Sequence, residues 1–483
     1  MSTFAYALKS KRSVPLIAPF ALMSACLYPS YRFDLSATEA NPFSGGNGGS
    51  EEGKGAAGAG TGGHGGLAGN SAGGQGGVAG NLVGGQGGVG GNPSGGQGGA
   101  SNPCQSTVDR TVLYVHASRG SDGNNGACEQ PFRTIKQAMS VAENNLTVET
   151  IHLFGNPAGS PRLVYSAATN QETFPIQPSR TSLTIEGDGQ DQVELSGSGA
   201  CLENRPCAVR IAVVNTRLRQ VTVKNPAGAG ISIEQPTTIE QTNIESCDGD
   251  GIIVSMAGYQ TARINNSVIT NNANGIKISS RGQGNVLALN ATSVIKNHGD
   301  GIVDDYNTTL QLVGNTIASN GVDGIGLGFF TDLTSLKNTI EKNGNAGVRR
   351  WSGGKADGLL SFTGDNINNN QQNGIHLSRN GSQFRMRDST VLGNGGMGLF
   401  FDGEANDTNG TIDLGTASSP GGNTFQSTSR PNGGVGICNK TATPIADASN
   451  HWRQCPPQSS GSCTGAVDVG GTTLPTTTYC HNP

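Results

Sequence analysis

Hydrophobic positions in this chain recur in blocks, and the blocks align with one another. Gly-Ile or a near equivalent stands at Gly230-Ile231, Gly251-Ile252, Gly275-Ile276, Gly301-Ile302, Gly324-Ile325, Gly347-Val348, Gly374-Ile375, Gly398-Leu399 and Gly436-Ile437. The first eight copies are about 21 to 27 residues apart, a period at which each repeat is one coil of a solenoid. Seven positions before each of these eight glycines stands a β-branched residue: Val223, Ile244, Val268, Val294, Ile317, Ile340, Ile367 and Val391. Four positions before stand Asn271, Asn297, Asn320, Asn343, Asn370 and Asn394, with Cys247 heading the column and Asn432 in the last copy. β-Branched residues repeated once per coil stack on themselves inside a parallel sheet. Asparagine tolerates a left-handed turn, and its amide can bond both the turn backbone and the next asparagine along the stack. A buried, unsatisfied amide costs about 1–3 kcal/mol, so such a column is stable only where its copies stack. The pattern predicts an all-β chain folded as a right-handed parallel β-helix. Leucine-rich repeats share the period but need a leucine framework, and propeller blades need about 40 residues each.

Upstream of the repeats the pattern changes. Thr111 to Val115 alternates like a strand and Gly120 to Gly126 is turn chemistry. Ile135, Ala138, Met139 and Ala142 then fall at helical spacing after Pro131 and Thr134. This predicts one short amphipathic helix that covers the open first rung, because an exposed strand edge invites aggregation. From Gly45 to Ala100 the chain is nearly all Gly, Ala, Asn and Gln. It buries too little apolar surface to offset chain entropy, so a disordered stalk is expected, with a root-mean-square span of roughly 40 Å. The expected organisation is a signal segment over 1–25, a linker over 26–103, a cap with the first coils over 104–225, regular coils over 226–437 and a disulfide-rich C-terminal cap over 438–483.

Composition narrows the function. Hydrophobic residues are 34% of the chain, charged residues 14%, and the formal net charge is -4, with 31 Lys+Arg against 35 Asp+Glu. No basic run lies beyond the first residues, so the electrostatic footprint of a nucleic-acid binder is missing. Lys9, Lys11 and Arg12, the apolar stretch Val14 to Met23, and small Ser24 and Ala25 before Cys26 read as an export signal. Met23-Ser24-Ala25-Cys26 resembles the bacterial lipobox, which implies cleavage before Cys26 and lipid attachment to it; an ordinary cleavable signal that contains a cysteine is the alternative. The expectation is an extracytoplasmic monomer, a lipoprotein of the bacterial outer membrane or cell surface. Nine further cysteines agree with an oxidising compartment. Sequence proximity favours Cys104 with Cys128, Cys201 with Cys207, Cys438 with Cys455 and Cys463 with Cys480, leaving Cys247 odd. No CxxC or matching histidine spacing points to a bound metal.

Tyr114-Val115, then Gly120-Ser121-Asp122-Gly123-Asn124-Asn125-Gly126, Pro131-Phe132-Arg133-Thr134-Ile135-Lys136-Gln137-Ala138 and Thr173-Phe174-Pro175-Ile176 resemble the opening of a bacterial domain-of-unknown-function family of β-helix proteins. The downstream copies are similar to the parallel β-helix repeat of pectate lyases. The resemblance covers about Cys104 to Asn450. It implies secreted or surface proteins, some of them carbohydrate-active, and it specifies a fold and not a chemistry.

Strand alternation places the residues two and four past each glycine on the outer face. Lys277, Asp305, Arg349, Trp351, His376 and Asp402 then gather on one side of successive coils. An aromatic platform beside carboxylates and a cation is what a sugar site requires; solvated surface that had to be polar is the alternative. The position three past the glycine faces inward, yet holds Asp304 and Arg350, and burying either alone is costly. They are expected to approach each other around Leu327. The acid and base set of polygalacturonase-like hydrolases, an Asn-Thr-Asp, a paired aspartate, a Gly-His-Gly and an Arg-Ile-Lys, fails on two of four elements: Asp304-Asp305 is present, but His298-Gly299 is misplaced and no Arg-Ile-Lys occurs. A pectate-lyase-like elimination would need calcium, with oxygens from Asp248, Asp250, Asp300, Asp304 and Asp305, and Arg349 or Lys277 as base. No cofactor is otherwise expected. The sequence reading is a structural or polysaccharide-binding surface protein, with a lyase or hydrolase of acidic polysaccharide as the alternative.

Overall fold

Three short strands and three corners make one coil. The chain runs through Ala229–Ile233, turns into Thr237–Glu240, turns again into Asn243–Glu245, and returns at Ile252–Val254 one rung along. Equivalent strands of successive coils pair in parallel, as a right-handed solenoid requires. Three sheets result, here called front, back and side in the order of those strands. Among the described residues the front and back sheets have 13 strands each and the side sheet nine. The computed structural model describes Cys104 and residues 111–197, 199–201, 206–280, 282–351, 358–378, 383–403, 410–426, 429–447, 449–453, 457–460, 462–463, 468–471 and 480–481. All of these fall in the compact unit Ser94–Pro483. The expected signal segment, Cys26 and the Gly-rich stalk lie outside the described residues.

The repeat builds the core directly. Ile231, Ile252, Ile276, Ile302, Ile325, Val348, Ile375, Leu399 and Ile437 stand in register down the front sheet, and all are buried. The glycine before each is required by space: a Cβ at Gly301 would sit 2.5 Å from the Gly324 carbonyl oxygen. The predicted helix forms over Ile135–Asn144, with Thr134 as N-cap and Ile135, Ala138, Met139 and Ala142 buried. Its first two amides donate to the buried carboxylate of Glu172, which complements the helix N-terminus.

The amide column lines the side-to-front corner, with one correction. It runs Asn272, Asn297, Asn320, Asn343, Asn370, Asn394, Asn432, and each side-chain oxygen accepts from the backbone amide of the previous coil. Each Nδ2 also reaches back to a carbonyl of the previous coil. Asn271 is not a member. The turn before Gly275 is one residue shorter than the others, so counting back from the glycine slips by one; Asn271 takes the exposed left-handed position, at φ 57°. For the same reason Ile269, not Val268, joins the interior column beside Ile244 and Val294.

A second ladder, not foreseen, lines the back-to-side corner. Thr242 heads it, and Ser267, Thr292, Asn315, Asn338, Asp365, Ser389, Asn423 and Asn450 follow, each of these eight accepting from the amide of the coil before. Its mixed composition hid it from a search for one residue type.

Cys104 pairs with Cys128 and Cys201 with Cys207, as expected. Cys438 pairs with Cys463 instead of Cys455, so the expected Cys463–Cys480 pair does not form either. The two sulfurs are 25 residues apart, with Cα atoms at 5.4 Å. In a solenoid, residues about one period apart lie one rung apart, and this neighbour is nearer than one closer in sequence. Cys455 lies outside the described residues. Cys247 is free and buried.

Candidate functional site

The outer side of the front sheet carries the predicted residues, in two groups. Lys277 lies 4.0 Å from Asp305 and forms the first. In the second, Arg349 stands in register between Gly326 and His376, and His376 beside Phe400. About three strand spacings of ~4.8 Å separate Lys277 from Arg349. Between them the strand Ile325–Phe329 contributes Gly326 and Gly328 to the outer face. The Trp351 ring fills that gap, since a Cβ at Gly326 would lie 2.5 Å from Cη2 of the indole. Trp351 is on the outer face as expected, packed against the wall and only partly exposed.

His376 is the most elaborately held member. Its ring stacks on Phe400 at 4.7 Å, and Nε2 lies 3.7 Å from Asp402. Burial and the nearby Arg349 charge lower its pKa, and these outweigh Asp402, which favours the cation. The imidazole is therefore neutral near pH 7. Lys440, which the sequence reading missed, pairs with Asp402 at 3.4 Å and sits 4.8 Å over the Phe400 ring. It follows an irregular coil, 38 residues on from Asp402, where no fixed period could find it.

Arg349 differs from the other cations on this face. Its Nε is buried and has no hydrogen-bond partner. Its charge acts on two carboxyls of the side-to-front corner, Asp300 and Asp323. Burial raises both; Asp323, with Asp300 beside it, rises to about 6, and Arg349 opposes the rise. Asp323 Oδ1 accepts the Ala346 amide and Oδ2 is buried without a partner. Asp323 escaped the sequence reading, although Asp250, Asn274, Asp300 and Asp323 form a column one position before the glycine.

Behind this face lie Asp304 and Arg350, both wholly buried, in register through Leu327. They meet at Thr331: its hydroxyl donates to Asp304 at 2.7 Å, and Arg350 donates to its carbonyl at 3.0 Å. The charged interior residues are thus on the strands that present Asp305 and Arg349. At its N-terminal end the face is closed. The strand Gly199–Ala200 folds back antiparallel on Pro206–Ile211 beside the Cys201–Cys207 bridge, and that bridge packs on Ala229 and Ile253.

The carboxylates once grouped as calcium ligands do not converge. Asp304 is inside the coil on Thr331, Asp305 outside on Lys277, Asp300 caps the Asp323 amide, and Asp250 accepts from Asn274. Among the described residues no three His, Cys, Asp or Glu side chains come together as a metal site.

A family model described as a right handed beta helix region matches residues 207–357. No curated protein matches the chain by sequence. Among solved structures the chain is similar to the A-module of a mannuronan C-5 epimerase from Azotobacter vinelandii, at 15% identity and TM-score 0.51, over 77% of this chain and 99% of that one. A second epimerase A-module of the same organism aligns at 16% identity and TM-score 0.43, over 72% and 94%. A pectate lyase aligns at 15% identity and TM-score 0.38, over 71% and 80%. The first likeness shows a shared fold; function has to come from the site.

Proposed function

We propose that this chain is a polysaccharide-binding β-helix whose front face seats an acidic polymer, with Arg349 as the anion anchor. One observation carries the reading. Lys277 and Lys440 are already paired with carboxylates, whereas Arg349 keeps a buried Nε with no acceptor. The buried Nε has no acceptor from the protein, and a guanidinium left in that state gains from a planar carboxylate at its solvent-facing nitrogens, which is the group a uronate sugar offers. Trp351, laid against Gly326 two residues along, supplies the apolar surface that a sugar ring stacks on. Mannuronan, named as the substrate of the epimerase above, is a uronate polymer and the first probe. In calorimetric titration we expect mannuronan to bind, a neutral glucan not to bind, and added salt to weaken the complex. Arg349→Gln is expected to weaken binding roughly thirtyfold, about 2 kcal/mol. Equal affinity of wild type and variant would overturn the assignment.

A lyase is the second reading, favoured by His376. A neutral imidazole beside a cation that holds a uronate carboxylate is placed to take the proton next to that carboxylate. An elimination would raise ultraviolet absorbance on uronate polymers. His376→Gln would abolish that signal and leave binding in place; no signal from wild type leaves the binding module.

We further propose that the chain is exported and lipid-anchored through Cys26, with the Gly-rich segment as a stalk. Three disulfides among the described residues support an oxidising compartment. Cys26→Ser is expected to move the protein from the detergent phase of a membrane extract to the aqueous phase. Full retention in detergent would refute the anchor.

A further inference from the structure

The position one before the repeat glycine ties each coil to the next, and it does so with either of two residue types. Asn274, Asp300, Asp323 and Asn373 all stand there. Through Oδ1 each accepts a backbone amide of the following coil, those of Asp300, Asp323, Ala346 and Met397, at 2.8–2.9 Å. The bond asks only for an oxygen, so an amide side chain makes it as well as a carboxylate does. The amide is also the cheaper group to bury, because a carboxylate taken out of water must neutralise or find a partner. Yet the two members nearest Arg349 are aspartates. Asp323 is 1% exposed, and its Oδ2 is buried without a hydrogen-bond partner. The turn bond alone does not call for a carboxyl at either place.

Their neighbour does. Asp323 is faced by Asp300 from the corner one coil before, by Asn345 and the Ala346 amide from the corner one coil after, and by Arg349 from the strand Val348–Arg350 that leaves that later corner. Asp300 is faced by the Asp323 amide and by Arg349. Among the described residues, Arg349 is thus the cation that acts on both carboxyls. Burial and Asp300 push Asp323 up to about 6, and Arg349 favours its charged form. We infer that Asp300 and Asp323 make anion binding at Arg349 proton-linked, so that the corner takes up a proton from solvent as the anion arrives and the site holds an acidic polymer more tightly in mildly acid than in neutral solution. The cause is competition for one guanidinium. An anion seated on Arg349 weakens its support of the two carboxylates, and a carboxyl already protonated leaves Arg349 to the anion; linkage makes these the same coupling. The inference rests on the polysaccharide reading above and adds its regulation. Sugar carboxylates titrate at about 4 or below, so the ligand stays ionised between pH 5 and 7.5 and the dependence belongs to the protein.

Calorimetric titration with mannuronan oligomers tests this in the His376→Gln background, where the neighbouring histidine contributes no proton. Affinity is expected to be about threefold higher at pH 5 than at pH 7.5. At pH 6 the heats in two buffers of different ionisation enthalpy are expected to report proton uptake on binding. The further change of Asp300→Asn with Asp323→Asn installs the residue that Asn274 and Asn373 already place in this column, and so keeps both turn bonds. It is expected to remove the proton uptake and the pH dependence, leaving at pH 7.5 the affinity that the parent has at pH 5. A second measurement does not depend on that variant folding: the Asp323 carboxyl resonance, followed by carbon NMR, is expected to titrate at higher pH when mannuronan is added, and also in ligand-free Arg349→Gln. Binding that is independent of pH in the parent, a dependence that survives the aspartate changes, or an Asp323 midpoint unmoved in Arg349→Gln would each refute the linkage and leave the Arg349 site standing. If mannuronan binds at no pH, the polysaccharide reading fails and the linkage with it.

Discussion

Two histidines on the outside of this solenoid lie among acids and arginines, and they are pushed in opposite directions. His152, on the back sheet, is in register with Tyr114 and Glu186. Its Nε2 lies 2.8 Å from Asp188 and its Nδ1 3.3 Å from Glu186. Asp188 also accepts the Gly155 amide, and Glu186 is bonded by Arg219 at 2.6 Å. Burial works against the imidazolium, but hydrogen bonds to the two carboxylates outweigh it and raise the pKa to about 9. Around His376 burial is joined by Arg349 and Lys440, and a single carboxylate at 3.7 Å does not compensate. The first cluster closes on itself: each cation has an acceptor inside it. The second is short of acceptors, and an external anion would supply one. Charge density alone does not mark a site; unsatisfied charge does.

The sharpest way to break this comparison is to open the closed cluster. Asp188→Ala leaves the imidazolium and the Gly155 amide short of an acceptor, and is expected to cost roughly 3 kcal/mol in chemical denaturation. Asp402→Ala in the open cluster is expected to cost under about 1 kcal/mol, because that carboxylate is largely solvated. Equal losses would erase the distinction. Next in size is Asn320→Leu, which removes acceptor and donor from the middle of a fully bonded ladder; a loss of about 2 kcal/mol is expected, read as a lower melting temperature.

The two histidines also predict a pH dependence. A folded pKa of about 9 for His152 lies above its unfolded value near 6.5, so the stabilisation is fully present below pH 6.5 and lost as pH rises through about 9. Unfolding free energies measured across that window are expected to fall by roughly 3 kcal/mol, and His152→Gln to flatten the decline. A wild-type profile as flat as the variant's would refute the closed-cluster account. A smaller gain is expected from Cys247→Asn. The thiol heads the amide ladder without an amide's donors, is inert because burial raises its pKa to about 12, and receives nothing that an asparagine could not provide. An amide there would reach the Asn272 oxygen and add about 1 kcal/mol. The smallest effect is expected at the open site: Arg349→Gln changes stability by about 0.5 kcal/mol or less, while mannuronan titration shows the loss of binding.

How far the sequence carried depends on which interactions are local. The period, the inward isoleucines, the capping helix and the amide column were legible because every coil solves the same packing problem with the same residues. Alternation likewise assigns Lys277, Asp305, Arg349, Trp351, His376 and Asp402 to one outer face and puts Asp304 and Arg350 inside. What alternation omits is the neighbour one rung away, and that neighbour is set by coil length. A turn shortened by one residue moved the ladder from Asn271 to Asn272, and a stacked rung gave Cys438 the partner Cys463. An irregular coil brought Lys440 onto Phe400 and Asp402. The ionic states depend on the same rungs: a histidine, an arginine and acidic residues read alike as letters, but stacking encloses His152 between the carboxylates of Glu186 and Asp188 and leaves Arg349 with a buried nitrogen that no acceptor meets. Fold was written in the repeat, whereas the identity and charge of the site were decided by contacts about 4.8 Å along the axis, between residues that sequence separates by a whole coil.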